Sequence, residues 1–258
     1  MKPMRILVSV RDAAEARAAI DGGADIIDAK DPSGGPLGPV ALDTLCAIVA
    51  VSTPLRPVSA AFGDLSSAGT PETDGGAARA MAQIGLAFVK VGLDGITDVA
   101  TGARVATAFR GALDGESGPA LVLATYADHP AETSLGAWDV LEVAKESGAA
   151  GLLLDTAEKT DPRRTLFDCM GADTIARWIS AAHAAGLFVA LAGSLGIDDL
   201  SRARSLEADI MGVRGAACTG GRTGVISTDR VRELVERNGA PGHPTRERES
   251  EVRIHKVS

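Results

Sequence analysis

The stretch SGAAGLLLDTAEKT, residues 147–160, holds the fold in miniature. Small residues stop a helix, GLLLD (151–155) runs on without a polar break, and an aspartate closes the run. Unbroken aliphatic runs, as opposed to period-two alternation, mark strands buried on both faces. A small-residue stop directly before such a run is the joint between a helix and the next parallel strand. The same form recurs at GGADIID (22–28), IGLAFVKVG (84–92) and LEADIMGV (206–213).

Outward from these joints the chain shows eight such runs: RILVSV (5–10), DIIDAK (25–30), PVSAAF (57–62), AFVKVG (87–92), ALVLATY (120–126), GLLLD (151–155), LFVALAG (187–193) and DIMGVRG (209–215). Their starts fall roughly 20–35 residues apart, the length of a βα unit. Helical patterns lie between them. Asp12 with Glu15 reads as a capping box. Leu42, Leu45 and Val49 share a face, as do Trp138, Leu141 and Ala144. Ile175, Trp178, Ile179 and Ala182 follow i, i+3, i+4, i+7, and Val231, Leu234 and Val235 follow a Ser227/Thr228 cap. Eight βα units predict an α/β fold, a single (β/α)8 TIM barrel over residues 1–238. A doubly wound sheet would favour GxGxxG after the first strand, where the chain has VSVRDAAEA (8–16). Residues 239–258 are polar and without period, and read as a disordered tail.

The 258-residue length suits one barrel, and 45% hydrophobic residues can fill it. With 3% aromatics, that core must be aliphatic. So few rings disfavour a single-stranded nucleic-acid binder, and a net charge of −8 disfavours any nucleic-acid partner. No apolar run reaches the ~18 residues of a membrane span, and MKPMRILVSV has no signal-peptide form. Cys46, Cys169 and Cys218 form no CxxC pair. The expectation is a cytoplasmic protein in a reducing compartment with no metal or cofactor and no membrane partner. A homo-oligomer is compatible with all of this.

Barrel enzymes build their sites at the C-terminal ends of the strands. The second run ends in Asp28 and Lys30, the third is followed by Asp64, the fourth contains Lys90, and the later ones end in Tyr126, Asp155 with Lys159 behind it, Gly193 and Ser194, and Arg214 and Gly215. Lys30 and Lys90 sit among apolar residues, where an ammonium is costly unless paired. Desolvation and a neighbouring cation lower a lysine pKa, and a neutral amine attacks carbonyls to give an imine. A structural lysine paired with Asp28 or Asp155 is the plain alternative. Asp155 and Lys159 can relay a proton, or form an ordinary i,i+4 pair. ALAGSLG (190–196) and VRGAACTGGRTG (213–224) match the phosphate cradle that barrels often place after strands seven and eight, or are ordinary Gly-rich turns. On this reading Asp28, Asp64, Gly193, Ser194, Arg214 and Gly215 contact a small phosphorylated substrate.

The chain also resembles a known family, the (5-formylfuran-3-yl)methyl phosphate synthases of methanofuran biosynthesis. GGADIIDAKDPSGGPLG (22–38), FVKVGL (88–93), LLLDTAEKTDPRRTLFD (152–168) and GVRGAACTGGRTGVI (212–226) carry the likeness, with LVSVRDAAEA (7–16), VSAAFGD (58–64), TYAD (125–128) and AHAAGLFVALAGSL (182–195) between them. The resemblance implies a lyase that condenses two glyceraldehyde-3-phosphate molecules to a furan aldehyde phosphate, losing phosphate and water. It implies that Lys30 forms the Schiff base, that Lys90 is the proton acceptor, and that Asp155 and Lys159 assist. An imine at C1 acidifies C2–H, elimination of the C3 phosphate follows, and the enamine-like carbon then attacks the aldehyde of a second triose. The segment TDPRRTLFD (160–168) is longer and more basic than the family's turn. The Ala-, Gly- and Arg-rich composition points to a bacterial member, whose product in a methylotroph would feed a methanofuran-like carrier. Another class I aldolase-type barrel, or a non-catalytic phospholigand-binding barrel, would share many of these features.

Overall fold

A computed structural model describes residues 3–65, 73–113, 118–129, 132–161 and 163–239. The expected tail, apart from Gly239, lies outside the described residues. The eight apolar runs form eight parallel strands: β1 Arg5–Val10, β2 Ile26–Ala29, β3 Val58–Asp64, β4 Phe88–Gly92, β5 Ala120–Tyr126, β6 Gly151–Asp155, β7 Phe188–Leu191 and β8 Ile210–Val213. They pair in sequence order, and β8 pairs with β1 to close the barrel. A short hairpin, β9 Cys218–Thr219 and β10 Val225–Ile226, follows β8.

Main helices follow the strands: α1 Ala13–Asp21, α2 Leu42–Ser52, α3 Thr73–Ala82, α4 Val99–Leu113, α5 Ala137–Ser147, the single turn α6 Leu166–Cys169, α7 Ala172–Ala184, α8 Leu200–Ser205 and α9 Thr228–Arg237. Asn238, just past α9, donates from Nδ2 to the Met4 carbonyl at 2.6 Å, which ties the end of the barrel to its beginning. Most apolar residues lie between helices and the outer face of the barrel. The α7 face Ile175, Trp178, Ile179 and Ala182 is fully buried, and Trp178 Nε1 donates to the Ala137 carbonyl at the start of α5. Ile175 and Ile179 each contribute roughly 1.5–3 kcal/mol by burial.

Two helical faces differ from the periodic reading. Leu42 and Trp138 are exposed, because each stands in the first turn of its helix, beside the buried stripe. Capping also differs in detail. Asp12 accepts from Glu15 N at 2.8 Å, but the Glu15 carboxylate takes Arg11 N instead of closing the box on Asp12. Ser227 is the N-cap of α9 without a side-chain capping bond.

Inside the barrel the layers differ in chemistry. Leu7, Ile26, Phe88, Val122, Leu153 and Ile210 pack the lower part. Successive side chains alternate across a strand, so Ser9, Asp28, Lys90 and Asp155 follow these residues inward, one layer nearer the C-terminal mouth.

Candidate active site

That upper layer gathers residues far apart in sequence. Register places Ser9 beside Asp28, Ala61 beside Lys90, and Tyr126 beside Asp155. Lys30 continues the inward series Ile26, Asp28 just past β2, with its backbone N–H bonded to the Val10 carbonyl. Lys30, Lys90, Asp28 and Asp155 are all buried.

The carboxylates divide the lysines unequally. Lys90 Nζ lies 2.6 Å from Asp28 Oδ1, and Asp28 Oδ2 accepts from Ser9 Oγ at 2.8 Å. Lys159 Nζ lies 2.6 Å from Asp155 Oδ1 and 2.9 Å from Thr156 Oγ1. Asp155 Oδ1 also accepts from Thr156 N at 2.8 Å. Burial works against the Asp155 carboxylate, but Lys159 and Lys30 outweigh it and hold the group below the usual carboxylate range. Three ammoniums facing two carboxylates leave one lysine over. That one is Lys30, which forms no ion pair with any described residue. Burial above all, with Lys90 and Lys159 adding to it, brings its pKa down from 10.5 to about 8 against the pull of Asp155 and Asp28. The fraction present as free amine at pH 7 rises by roughly 300-fold over an ordinary lysine. Such an amine can attack a carbonyl, with a carboxylate–ammonium pair on either side to move protons.

Gly193 and Ser194 turn back at the end of β7 with φ of 106° and 54°. The Gly193 carbonyl accepts from Leu166 N, so the segment after Lys159 is docked on this turn. Gly215 opens a short 3-10 turn after β8.

Two expected substrate contacts are corrected. Arg214 is buried, and each of its five N–H donors has a protein partner: Glu15 twice, and the carbonyls of Ser9, Arg222 and Gly224. The guanidinium ties β8 and its loop to β1 and α1, and has no donor left for a phosphate. Asp28 likewise serves Lys90 and Ser9, not a substrate anion. Arg222 is the freer cation. Its Nη2 donates to Pro32 and Gly35 carbonyls at 3.1 Å, while Nε and Nη1 have no partner among the described residues. Its pKa is lowered by burial, with the Asp155 charge opposing that. Ser9 and Thr156 also belong to the site, though neither ends an apolar run. Inward alternation along β1 was the available signal for Ser9; for Thr156 it was adjacency to Asp155.

On the opposite side of the mouth stand Asp64, Asp94, Tyr126 and His129. Asp64 Oδ1 accepts from Asp94 N at 3.2 Å, and His129 Nδ1 lies 3.4 Å from Asp94 Oδ1. The Tyr126 and His129 rings are 4.9 Å apart. Burial, then the charges of Asp64 and Asp155, push the Tyr126 phenol far above its ordinary pKa, so it remains a neutral donor.

A family model described as 4-HFC-P synthase matches residues 6–235, from the first strand to the last helix. The chain belongs to the 4-HFC-P synthase family. Among relatives of this family, the (5-formylfuran-3-yl)methyl phosphate synthase of Methanopyrus kandleri is 39% identical over 240 residues, covering 92% of this chain and 99% of that protein. Its counterpart from Methanothermobacter thermautotrophicus is 37% identical over 235 residues, covering 90% and 98%. These relatives are synthases, which supports an enzyme here. Among solved structures, phosphoribosyl anthranilate isomerase of Thermus thermophilus aligns with TM-score 0.61 at 18% identity, covering 92% of this chain and 98% of that one. A 3-hexulose-6-phosphate synthase aligns with TM-score 0.57 at 18% identity, covering 91% and 99%. At these identities the likeness is one of fold, and it makes the 4-HFC-P synthase family member a TIM barrel. No helix among the described residues is long and apolar enough to cross a membrane.

Proposed function

We propose that this chain joins two molecules of glyceraldehyde-3-phosphate into (5-formylfuran-3-yl)methyl phosphate through an imine on Lys30, releasing one phosphate and two waters. The observation that carries the reading is a buried lysine with no ion-pair partner among the described residues, beside two matched lysine–aspartate pairs. The iminium is the electron sink, so the reaction calls for no metal or organic cofactor.

In the first triose, Lys30 displaces the aldehyde oxygen as water and the iminium acidifies C2–H. Lys90 passes its own proton to Asp28, 2.6 Å away, and accepts the C2 proton in its place. The electron pair released at C2 expels the C3 phosphate. Lys159, an ammonium held by Asp155, protonates leaving oxygens. Arg222 and the backbone N–H groups around Gly193 and Ser194 take over the phosphate-binding role expected of Arg214.

The product's substitution pattern corrects one step of the sequence expectation. Attack of C3 on the aldehyde of the second triose would give a 2,5-disubstituted furan. The product carried by the relatives' name bears its groups at ring positions 5 and 3. The joining bond therefore runs from C3 of the first triose to C2 of the second, and both trioses lose their C2 hydrogens. Cyclisation and loss of water then give the aromatic ring. A cytoplasmic location and supply of a methanofuran-like carrier belong to this reading.

Incubating the pure protein with glyceraldehyde-3-phosphate tests it. The expected result is a furan-aldehyde ultraviolet band with one phosphate released per furan. Neither band nor phosphate would overturn the proposal, and sugar-phosphate products without a furan would favour a class I aldolase.

A further inference from the structure

β3 carries an irregularity that aims one side chain. Its register with β4 runs Ser59–Phe88, Ala60–Val89, Ala61–Lys90, then jumps to Gly63–Val91 and Asp64–Gly92. One extra residue, Phe62, is inserted as a bulge. A one-residue shift turns every later side chain to the other face of a strand. Without the bulge Asp64 would point outward, among the helices. With it, Asp64 shares the inward face with Gly92.

Two neighbours fix this bulge. Phe62 packs outward, edge to face against Phe109 of α4 with centroids 4.8 Å apart. Gly63 takes φ +94°, a conformation that disfavours any other residue. Gly92 then leaves room: a Cβ there would overlap Asp64 Oδ1. The carboxylate occupies the place a side chain would hold on β4, one inward layer above Lys90, about 6.6 Å along the strand. Asp94 N–H binds one of its oxygens, and Tyr126 on β5 and His129 in the loop beyond are its electrostatic neighbours. Asp64 is exposed at the mouth, and its partial desolvation, with the Asp94 charge adding to it, raises its pKa above the usual carboxylate value.

Resting on the two-triose reading above, we infer that Asp64 is the catalytic residue that moves the C2 proton of the second triose phosphate to C1, making the ketone at which the carbon–carbon bond forms. The carboxylate takes the C2 hydrogen as a proton. The electron pair left behind forms the C1–C2 double bond as the C1 oxygen gains a proton from the Tyr126 phenol. Asp64 then returns its proton to C1, and the C2 hydroxyl gives its own back to Tyr126 as the C2 carbonyl forms. The aldehyde has become a ketone with no net gain or loss of protons or electrons. The lysine pairs across the mouth are left to the first triose.

Asp64→Asn tests this. With glyceraldehyde-3-phosphate alone, furan formation should fall by about 100-fold or more. Borohydride should still trap the substrate on Lys30, showing that the variant is folded and forms its imine. Equimolar dihydroxyacetone phosphate, the ketone isomer, should restore furan formation. Gly63→Ala, which strains the bulge, should show the same loss and the same rescue. Wild-type rates in Asp64→Asn, loss of the Lys30 adduct, or failure of the ketone to rescue would each overturn the assignment. If wild-type protein itself gives no adduct, the proposed function fails, and the assignment with it.

Discussion

Lys30 stands apart because each neighbouring carboxylate already holds another lysine at 2.6 Å. That arrangement destabilises the fold. Lys30 has a pKa of about 8 in the folded chain against 10.5 when unfolded. Between these values the unfolded chain binds more protons, so stability rises with pH across that window; below it the penalty is fully present. Lys30→Met should therefore stabilise the protein at pH 7 by about 1–3 kcal/mol in urea unfolding, while abolishing furan formation. Arg214 is the opposite case. Arg214→Ala leaves the buried Glu15 carboxylate with Arg11 as its remaining cation, 3.1 Å away, and should cost about 1–3 kcal/mol in the same measurement. In the sequence Arg214 reads as a strand-end cation. That reading could not show that Glu15, 199 residues earlier, fills the guanidinium fork.

Among elements, the strands were the legible part. β1, β5 and β6 have the bounds of their apolar runs, and the other strands differ only at their ends. Long-range register was not legible. The bulge that brings Asp64 inward depends on packing between Phe62 and Phe109, which no local pattern encodes. The helix-to-strand joints offer a further test. Gly23, Gly85, Gly148 and Gly186 occupy them with positive φ, but Glu207, before β8, has φ 63°. A side chain in that conformation costs about 1 kcal/mol or more. Glu207→Gly should raise the urea midpoint, with a gain of up to about 1 kcal/mol in unfolding free energy once the added freedom of the unfolded chain is counted. An unchanged or lower midpoint would show that the joint tolerates glutamate without strain.

For the whole molecule, a net charge of −8 coexists with a mouth where Lys30, Lys90, Lys159 and Arg222 converge. Overall acidity argues against nucleic acid and says nothing against a small anion in a local positive field. The family match stops at residue 235, so residues 240–258 lie beyond the shared catalytic unit. Their deletion should leave the rate of furan formation within about twofold of wild type. In the proposed reaction Lys30, and no other lysine, carries the substrate. Borohydride reduction in the presence of glyceraldehyde-3-phosphate, followed by peptide mass spectrometry, measures this directly. The expected result is a triose-derived adduct on Lys30 that is absent from Lys30→Met. An adduct on Lys90 or Lys159, or none at all, would contradict it.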